Sequence, residues 1–138
     1  MAIQQGLTTS FKQQMLQGQQ SLLTDTLYIA LYTAMATIGP DTTVYTTAGE
    51  ITGTGYTAGG IALTGATINA VSNGTVYVDF DNVTWPASQL TARGALIYNV
   101  TQGNSSIAVL DFGSDKTMTN FTITMPTNTS STALIRFP

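Results

Sequence analysis

Residues 76–112 decide the fold and read VYVDFDNVTWPASQLTARGALIYNVTQGNSSIAVLDF. Within them, residues 95–98 and 107–110 are almost continuously hydrophobic, which is typical of strands that are covered on both faces. The residues QGN at positions 102–104 lie between these runs, tolerate positive φ and can turn the chain. The pattern predicts an antiparallel hairpin at the centre of the core, with a loop longer than two residues.

Further strands are predicted on both sides of this hairpin. Residues 25–33 are apolar on both faces, and residues 75–80 alternate apolar with polar positions, the period of a strand with one buried face. A turn at residues 72–74 contains Asn-Gly, a strong hairpin signal. The other predicted elements are a strand at residues 61–70, a turn at 113–116, a strand at 121–125, a polar loop at 126–131 and a final strand at 133–137.

These elements amount to seven or eight short strands and one helix in a chain of 138 residues. A chain of this length fits one domain, and no repeat, linker or run of charges divides residues 1–138. Sandwich and jelly-roll architectures suit short strands separated by turns at such spacing. The sequence therefore predicts an all-β fold: a single antiparallel β-sandwich or jelly-roll-like domain of seven or eight strands with one short N-terminal helix.

Residues 1–20 are predicted to form an N-terminal helix or arm. The helix covers residues 9–17, and Gly18 is placed as its C-terminal cap. The candidates for the N-terminal cap are Thr8, Thr9 and Ser10, and the predicted apolar face comprises Phe11, Met15 and Leu16. Because a helix this short is marginal in water on its own, it must dock. Two partners are open: the core of its own domain and a neighbouring subunit.

Residues 34–60 form a long segment rich in threonine and glycine, with little strand periodicity. Connections of this length are uncommon without a function. The last part, TGTGYTAGG at residues 52–60, can adopt positive φ at several glycines. A phosphate-binding loop would need a following helix with a suitably placed Lys or acidic residue, whereas residues 61–70 predict a strand. We therefore expect a long loop that can lie on a neighbouring copy.

The composition excludes most catalytic chemistry. The chain has no cysteine and no histidine, which removes disulfides, thiolate chemistry, imidazole catalysis and the usual zinc sites. We therefore expect a protein that is not an enzyme, with no catalytic residues, no cofactor-binding residues and no metal ligands. Charged residues make up 8% of the chain and the net charge is −3, so little electrostatic repulsion opposes association between copies.

The positive charges are too few and too scattered to bind nucleic acid. They are Lys12, Arg93, Lys116 and Arg136, whereas phosphates call for clustered Lys and Arg. No run approaches ~20 apolar residues, so no membrane span is predicted. Residues 1–20 lack the features of a secretory signal, so we expect synthesis in the cytoplasm without a signal peptide. Matches to the glycosylation motif at residues 73, 82, 99, 104, 120 and 128 are attributed to the composition.

Polar residues and a tryptophan follow the strand at residues 75–80. The oxygens of Asp79, Asp81 and Asn82 can ligate calcium, but the calcium-loop pattern is incomplete and the same residues favour a strand-ending turn, which we prefer. Trp85 precedes a proline that cannot donate to a ladder, so it lies on an edge or in a connection. It is interpreted as a core anchor, with a ligand platform as the alternative.

Arg93 is predicted to have a structural role. It lies just before a strand that is expected to be buried, and a partly buried guanidinium group generally needs a carboxylate partner. The predicted strand arrangement offers three candidates: Asp79, Asp81 and Asp111. An ion pair with one of them is the expected interaction.

Five blocks of the sequence resemble a family of small tailed-bacteriophage virion structural proteins. The blocks are FKQQMLQG (residues 11–18), DTLYIALYTA (25–34), GEITGTGYTAGG (49–60), VDFDNVTWPASQLTARGALIYN (78–99) and AVLDFGSDK (108–116). Together the similarity covers nearly the whole chain, residues 11–137. The family is described as head-associated, of the capsid decoration (cement) or head-fibre type, and the resemblance implies no catalytic or ligand motif.

The resemblance implies an oligomeric decoration protein that binds the major capsid protein on the capsid exterior of the virion and stabilises the shell. This agrees with a composition that lacks catalytic groups and favours association. We expect a homo-oligomer, and a trimer suits the local three-fold positions of an icosahedral shell. Two alternatives stay open: a head-fibre, neck or tail component, and a carbohydrate-binding or adhesion module that uses Tyr45, Tyr56 or Trp85 as a stacking platform.

Overall fold

The computed structural model describes residues 3–70, 74–86, 89–125 and 135–137, in which antiparallel strands dominate and one helix is present. The elements are β1 (Gly6–Leu7), α1 (Thr9–Leu16), β2 (Leu27–Tyr32), β3 (Ile61–Ala62), β4 (Thr67–Ala70), β5 (Val76–Asp79), β6 (Val83–Trp85), β7 (Leu90–Asn99), β8 (Ser105–Met118), β9 (Phe121–Ile123) and β10 (Ile135–Phe137). These residues thus form ten strands, two of which, β1 and β3, have only two residues, whereas the sequence predicted seven or eight.

The central hairpin predicted from residues 95–110 is confirmed. Strands β7 and β8 pair antiparallel, with Ile97 opposite Ala108, and they occupy the middle of a five-stranded sheet ordered β1-β8-β7-β2-β3. The connecting loop turns where the sequence predicted it, because Gly103 and Asn104 both adopt positive φ, +68° and +63°. The most hydrophobic part of the chain therefore forms the centre of the largest sheet.

Two smaller sheets cover one face of the large sheet and complete an all-β, sandwich-like fold. They contain β10-β5-β4 and β6-β9. Apolar side chains of both layers meet in one core. From the large sheet this core includes Leu27, Ile29, Leu31, Ile97 and Ile107, and from the smaller sheets Val78, Val83, Trp85, Phe121, Ile123 and Ile135.

The opposite face of the large sheet is also covered. Its outward-pointing residues Tyr32, Leu96, Tyr98 and Val109 pack with Ile3, Ala36 and Ile38 in a second buried cluster. The covering residues come from the N-terminal segment and from the long loop at residues 34–60. Burial on both faces explains why the central strands are almost continuously hydrophobic. It also shows that this part of the loop lies on its own chain, whereas the sequence suggested a neighbouring copy.

Helix α1 closes one end of the core, which is the first of the two docking partners that the sequence left open. The side chain of Thr8 caps it by accepting a hydrogen bond of 3.2 Å from the Phe11 amide, and Gly18 follows it with a φ of +72°. Phe11 is fully buried, but Leu16 is 91% exposed, so its predicted place on the apolar face is wrong. At 3.6 residues per turn, Leu16 lies about 140° around the helix from Phe11.

The turn predicted at residues 113–116 is wrong, since β8 continues through it to Met118. Ala92 pairs with Lys116 and Gly94 with Asp111, so only Arg93 lies opposite residues 112–115. Those residues form a large bulge, and Gly113 adopts a φ of +82° within it. The turn-forming residues therefore bend a strand that goes on pairing with β7, rather than ending it.

The single strand predicted at residues 61–70 is divided. β3 pairs with β2 in the large sheet, and β4 pairs with β5 in a small one, so the chain crosses between layers at this point. The predicted β4–β5 hairpin is confirmed by the antiparallel pairing of Ala70 with Val76. Residues 72 and 73 of its turn, the loop at 126–131 and residues 133–134 of the last strand lie outside the described residues. Within the described ranges, no helix is long and apolar enough to cross a bilayer.

Candidate functional site

The first part of the long loop, residues 34–50, forms a layer over the large sheet, and we call it the loop layer. Isolated bridges join Ile38 to Ile3 and Val44 to Ser105. Backbone hydrogen bonds fix it further: the Tyr45 amide donates to the Asn104 carbonyl at 2.9 Å, and the Ser106 amide donates to the Thr43 carbonyl at 2.8 Å. The loop layer is thus tied to the sheet along its length without forming a strand.

Glu50, the only glutamate of the chain, holds the loop layer to the rest of the long loop. The Tyr45 hydroxyl donates to Glu50 Oε1 at 2.6 Å. The Tyr56 hydroxyl and the Gly59 amide donate to Oε2 at 2.5 and 2.8 Å. A carboxylate accepts hydrogen bonds more strongly than a neutral group does, so one side chain gathers three points of the loop.

The tyrosines around Glu50 also bond to the sheet and to one another. The Tyr56 hydroxyl accepts a hydrogen bond of 3.0 Å from the Leu31 amide. Since β3 pairs only with Tyr28 and Ile29 of β2, this hydroxyl continues the hydrogen bonding of β2 where β3 has ended. The Tyr98 hydroxyl donates to the Gly59 carbonyl at 2.5 Å, and the Tyr98 ring stacks on Tyr45 with centroids 4.7 Å apart. Loop and sheet are therefore joined by a connected network.

The chain returns to β2 at Gly60 in a way that only glycine allows. Gly60 has a φ of +85°, and a Cβ atom built on it would lie 1.9 Å from the Ile29 carbonyl oxygen. No side chain can occupy that space without moving the backbone of the central sheet. The end of the long loop is therefore fixed by close backbone contact, in addition to the hydrogen bonds of the Glu50 network.

The electrostatics of the cluster keep its tyrosines protonated. Burial, assisted by the charge of Glu50, raises the pKa of Tyr98 to about 12. Burial and interaction with Glu50 also raise the pKa of Tyr32, Tyr45 and Tyr56 well above the usual value. At neutral pH these hydroxyls are hydrogen-bond donors and not phenolate nucleophiles or bases. The network therefore holds the loop through hydroxyl groups that stay protonated.

The outer surface of the loop layer is rich in hydroxyl groups and carries one charge, that of Asp41. An open groove of about 570 Å³ runs along it, lined by Gln4, Thr37, Ile38, Gly39, Asp41, Thr42, Thr43, Val44 and Thr46. Met35 is 72% exposed and Val44 49% exposed. Asp41 is the only charged residue between positions 34 and 49. Such a surface suits contact with another protein, since it presents apolar side chains among uncharged polar ones.

The three aromatic residues proposed as stacking platforms do not form one exposed site. Trp85 is 3% exposed and packs edge-on against Phe121, with ring centroids 6.3 Å apart, which confirms its interpretation as a core anchor. Tyr45 and Tyr56 are partly buried, and both hydroxyls are used by Glu50. Trp85 therefore presents no ring face to a sugar, and Tyr45 uses one of its ring faces on Tyr98.

The candidate calcium ligands serve local structure. Asp79 Oδ1 accepts from the Phe80 amide at 2.9 Å, and Asn82 Oδ1 accepts from the Met125 amide at 2.7 Å. Asp81 Oδ2 accepts from the Thr64 hydroxyl at 3.3 Å. These contacts are those expected of polar residues at turns and strand ends. Among the described residues, no group of three or more acidic side chains could hold a metal ion.

The expected ion pair of Arg93 is confirmed, and its partner is Asp111. Arg93 Nε lies 3.5 Å from Asp111 Oδ1, and the two side chains are 35% and 31% exposed. Asp79 and Asp81, the other candidates, use their oxygens elsewhere. The pair sits at the bulge of β8 and so pins the distorted part of the β7–β8 ladder.

Sequence reasoning missed Glu50 and the groove beside it. The available signal was the position of the only glutamate between two tyrosines, at residues 45 and 56, in a chain with very few charges. The chain matches no protein-family model, no curated protein and no solved structure. A function must therefore be argued from the chemistry of the surface that the fold presents.

Proposed function

We propose that the protein is a structural protein of a tailed-phage virion: an oligomeric decoration (cement) protein that binds the major capsid protein on the capsid exterior and stabilises the shell. The observation that carries this proposal is the loop layer. It is a hydroxyl-rich surface with a single charge, that of Asp41, and two exposed apolar side chains, Met35 and Val44, and hydrogen bonds hold it on the large sheet.

The rigidity of this surface favours binding. A loop that orders only on contact loses conformational entropy at that moment, and this loss weakens association. Here Glu50 and its three donors hold the loop before any partner arrives. A preformed surface of this kind suits a protein that must bind many identical sites with one orientation.

The distribution of charge supports a role in assembly. Several of the few charged groups are engaged within the chain: Glu50 in the tyrosine network, Arg93 with Asp111, and Asp25, which accepts from the Asn99 side chain. Asp79 is buried. The remaining charged groups are few and of both signs, so neither long-range repulsion nor a large desolvation cost of charge opposes a close protein contact.

The same features favour a homo-oligomer that has no enzymatic activity and binds neither nucleic acid nor a membrane. We keep the trimer as the proposed stoichiometry, because a cyclic trimer matches the three-fold positions of an icosahedral shell. A head-fibre, neck or tail component would use the same kind of surface and differs in its place on the virion. The carbohydrate-binding alternative lacks support, because Trp85 is buried and Tyr45 and Tyr56 are bonded to Glu50.

The test uses particles assembled with and without the protein. We expect particles that carry it to withstand heat or osmotic shock better. The double variant Met35→Lys, Val44→Lys should lose capsid binding, because it places two charges on the proposed contact. Leu16→Lys, at an exposed apolar position outside the loop layer, is the matched control and should bind normally. Equal resistance of both kinds of particle would exclude cementing and favour the fibre, neck or tail position.

A further inference from the structure

Met35 is the most exposed of the methionines that the structure describes. Its side chain is 72% exposed, whereas Met125 is 8% exposed. Met15 and Met118 are partly buried and pack against the core, and Met1 lies outside the described ranges. Methionine is among the residue types that folded proteins most often bury completely. The position of Met35 is therefore unusual for its side chain.

A tight turn directly after β2 holds Met35 in this position. The Ala36 amide donates to the Thr33 carbonyl at 3.1 Å, and the Met35 amide donates to the Thr33 hydroxyl at 3.2 Å. The next residue, Ala36, is 1% exposed and packs in the second buried cluster. The backbone around Met35 is thus fixed, while its thioether remains open to solvent.

This thioether lies on the surface that we propose as the capsid contact. It is the only sulfur atom of the loop layer, and Met35 is one of the two exposed apolar side chains named above for that surface. A contact made there buries the sulfur against the partner. The chemical state of this one atom therefore affects the contact directly.

A peroxide converts such a thioether to a sulfoxide. With hydrogen peroxide, a lone pair of the sulfur attacks one oxygen, the S–O bond forms and the O–O bond breaks. The sulfur loses two electrons, and the departing hydroxide takes the remaining proton and leaves as water. The product is polar and chiral, where the thioether was apolar and flexible. Burying this polar group without a hydrogen-bond partner opposes binding.

We propose that Met35 is a redox-sensitive modification site that controls attachment of the protein. Peroxide oxidises Met35 before the other methionines of the described residues, and its sulfoxide weakens the contact made by the loop layer. The second half of this proposal rests on the proposed function, because it needs the loop layer to be the contact. The first half concerns the free protein and does not.

Oxidation of Met35 changes the surface and leaves the fold intact. Among the described residues, the two buried clusters do not include Met35, and the hydrogen bond to Thr33 uses the Met35 amide rather than its sulfur. The Glu50 network likewise consists of hydroxyl and amide donors. Oxidation of the buried Met125, by contrast, would place a polar group in the core. Attachment and stability are therefore separable at Met35.

Attachment should protect the sulfur in turn. A contact that buries Met35 removes the access that peroxide needs, so an attached copy oxidises more slowly than a free one. Methionine sulfoxide reductases return the sulfoxide to the thioether, so the change is reversible for free copies. The control therefore acts on the protein before it attaches rather than afterwards.

The order of oxidation is measured on the free protein. Brief treatment with hydrogen peroxide, followed by peptide mass mapping, should show the sulfoxide at Met35 before Met15, Met118 or Met125. The unfolding temperature should stay close to that of the untreated parent. Met35→Leu, whose apolar side chain cannot be oxidised, is the control. Oxidation of Met15 or Met118 ahead of Met35 would overturn the proposal.

Binding to particles measures the effect of the sulfoxide. The oxidised parent should bind about tenfold more weakly than the untreated parent, as expected when a polar group is buried without a partner. A pair of reductases, one for each sulfoxide epimer, should restore binding. Met35→Leu should bind equally before and after peroxide. Met35→Gln should bind weakly in both conditions, and Leu16→Gln, at an exposed apolar position outside the loop layer, should bind normally.

The outcomes separate this proposal from the decoration role. Normal binding by the oxidised parent, with loss of binding by the double variant Met35→Lys, Val44→Lys, would overturn the redox control and keep the decoration role. Failure of the untreated parent to bind particles would count against the decoration role and the control of attachment together. The order of oxidation in the free protein would still decide whether Met35 is the preferred modification site.

Discussion

The hydroxyl group of Tyr56 donates a hydrogen bond of 2.5 Å to Oε2 of Glu50. The same hydroxyl accepts a hydrogen bond of 3.0 Å from the Leu31 amide in β2. One side chain thus links the only glutamate of the long loop to the backbone of the central sheet. The loop layer depends on this link, so its removal should affect the stability of the whole domain.

We expect Glu50→Gln to lower the free energy of unfolding by about 1.5–3 kcal/mol, the usual contribution of a hydrogen bond to a charged group. Tyr56→Phe should cost about 1–3 kcal/mol, because it leaves the Leu31 amide without its acceptor. Tyr45→Phe keeps the ring that stacks on Tyr98 and should cost less, about 0.5–1.5 kcal/mol. Urea unfolding measures all three, and a larger loss for Tyr45→Phe than for Tyr56→Phe would contradict this view of the network.

The domain should lose stability in alkali. The folded state raises the pKa of Tyr98 from 10.0 to about 12, so it binds the tyrosine proton more tightly than the unfolded state does. The resulting stabilisation is complete below pH 10 and is lost as the pH rises towards 12. Absorbance of the phenolate should show several tyrosines ionising late, and Tyr98→Phe should reduce the slope of stability against pH. Ionisation of all six tyrosines near pH 10 in the folded protein would refute this.

Asp25 should make the domain sensitive to acid. Hydrogen bonds from the Ser21 amide and the Asn99 side chain lower the pKa of Asp25 below its usual 3.8. Its stabilising contribution is therefore present above pH 3.8 and lost as the pH falls through the lower folded value. Burial raises the pKa of Asp79, so Asp79 changes the stability with pH in the opposite direction. The contribution of Asp25 is therefore isolated by comparing the parent with Asp25→Asn. Thermal unfolding of that variant should depend less on pH in this range than unfolding of the parent.

Ile97→Ala should destabilise the domain by about 2–5 kcal/mol, because Ile97 is fully buried at the centre of β7 and truncation leaves a cavity. Leu110 lies in the hydrophobic run that the sequence placed at the centre of the core, but its side chain is only partly buried. Leu110→Ala should therefore cost clearly less. Denaturant unfolding of both variants compares the two positions, and equal losses would mean that the hydrophobic contribution does not follow burial here.

Arg93→Met should be nearly silent, with a change below about 1 kcal/mol, because an ion pair whose partners are about one-third exposed is strongly screened. Unfolding at low and high salt measures the difference. A large, salt-insensitive loss would show that Arg93 contributes through packing at the β8 bulge.

The parts of the fold that sequence predicted correctly depend on local patterns. The continuous hydrophobic runs of residues 95–98 and 107–110 located the buried strands, since burial on both faces removes any need for polar positions. The alternation around Phe121 located β9, and the Asn-Gly dipeptide marked the β4–β5 hairpin. In each case the deciding residues are neighbours along the chain.

The errors arise where distant pairing overrides a local signal. Gly113 and its neighbours have the composition of a turn, but β7 begins early enough to keep pairing with β8 beyond them. Leu16 is apolar, yet it lies on the far side of a helix whose direction is set by the burial of Phe11. Local propensity cannot report either effect, because both depend on the position of another element.

The Glu50 network was hidden for a related reason. A glutamate between Tyr45 and Tyr56 is a weak signal by itself, since these side chains meet only if the loop folds back on β2. That path depends on Gly60 and on the Leu31 amide, which belong to different parts of the sequence. The presence of a long loop could be predicted, but the arrangement of its side chains could not.

The isolation of Glu50 as the only glutamate gives the chain a single cleavage site for a glutamate-specific protease. The enzyme must take this side chain into its own specificity pocket, and in the folded protein three donors already hold it. Nicking at that bond therefore requires the loop to detach first. The rate of a one-cut digestion therefore reports how readily the loop opens.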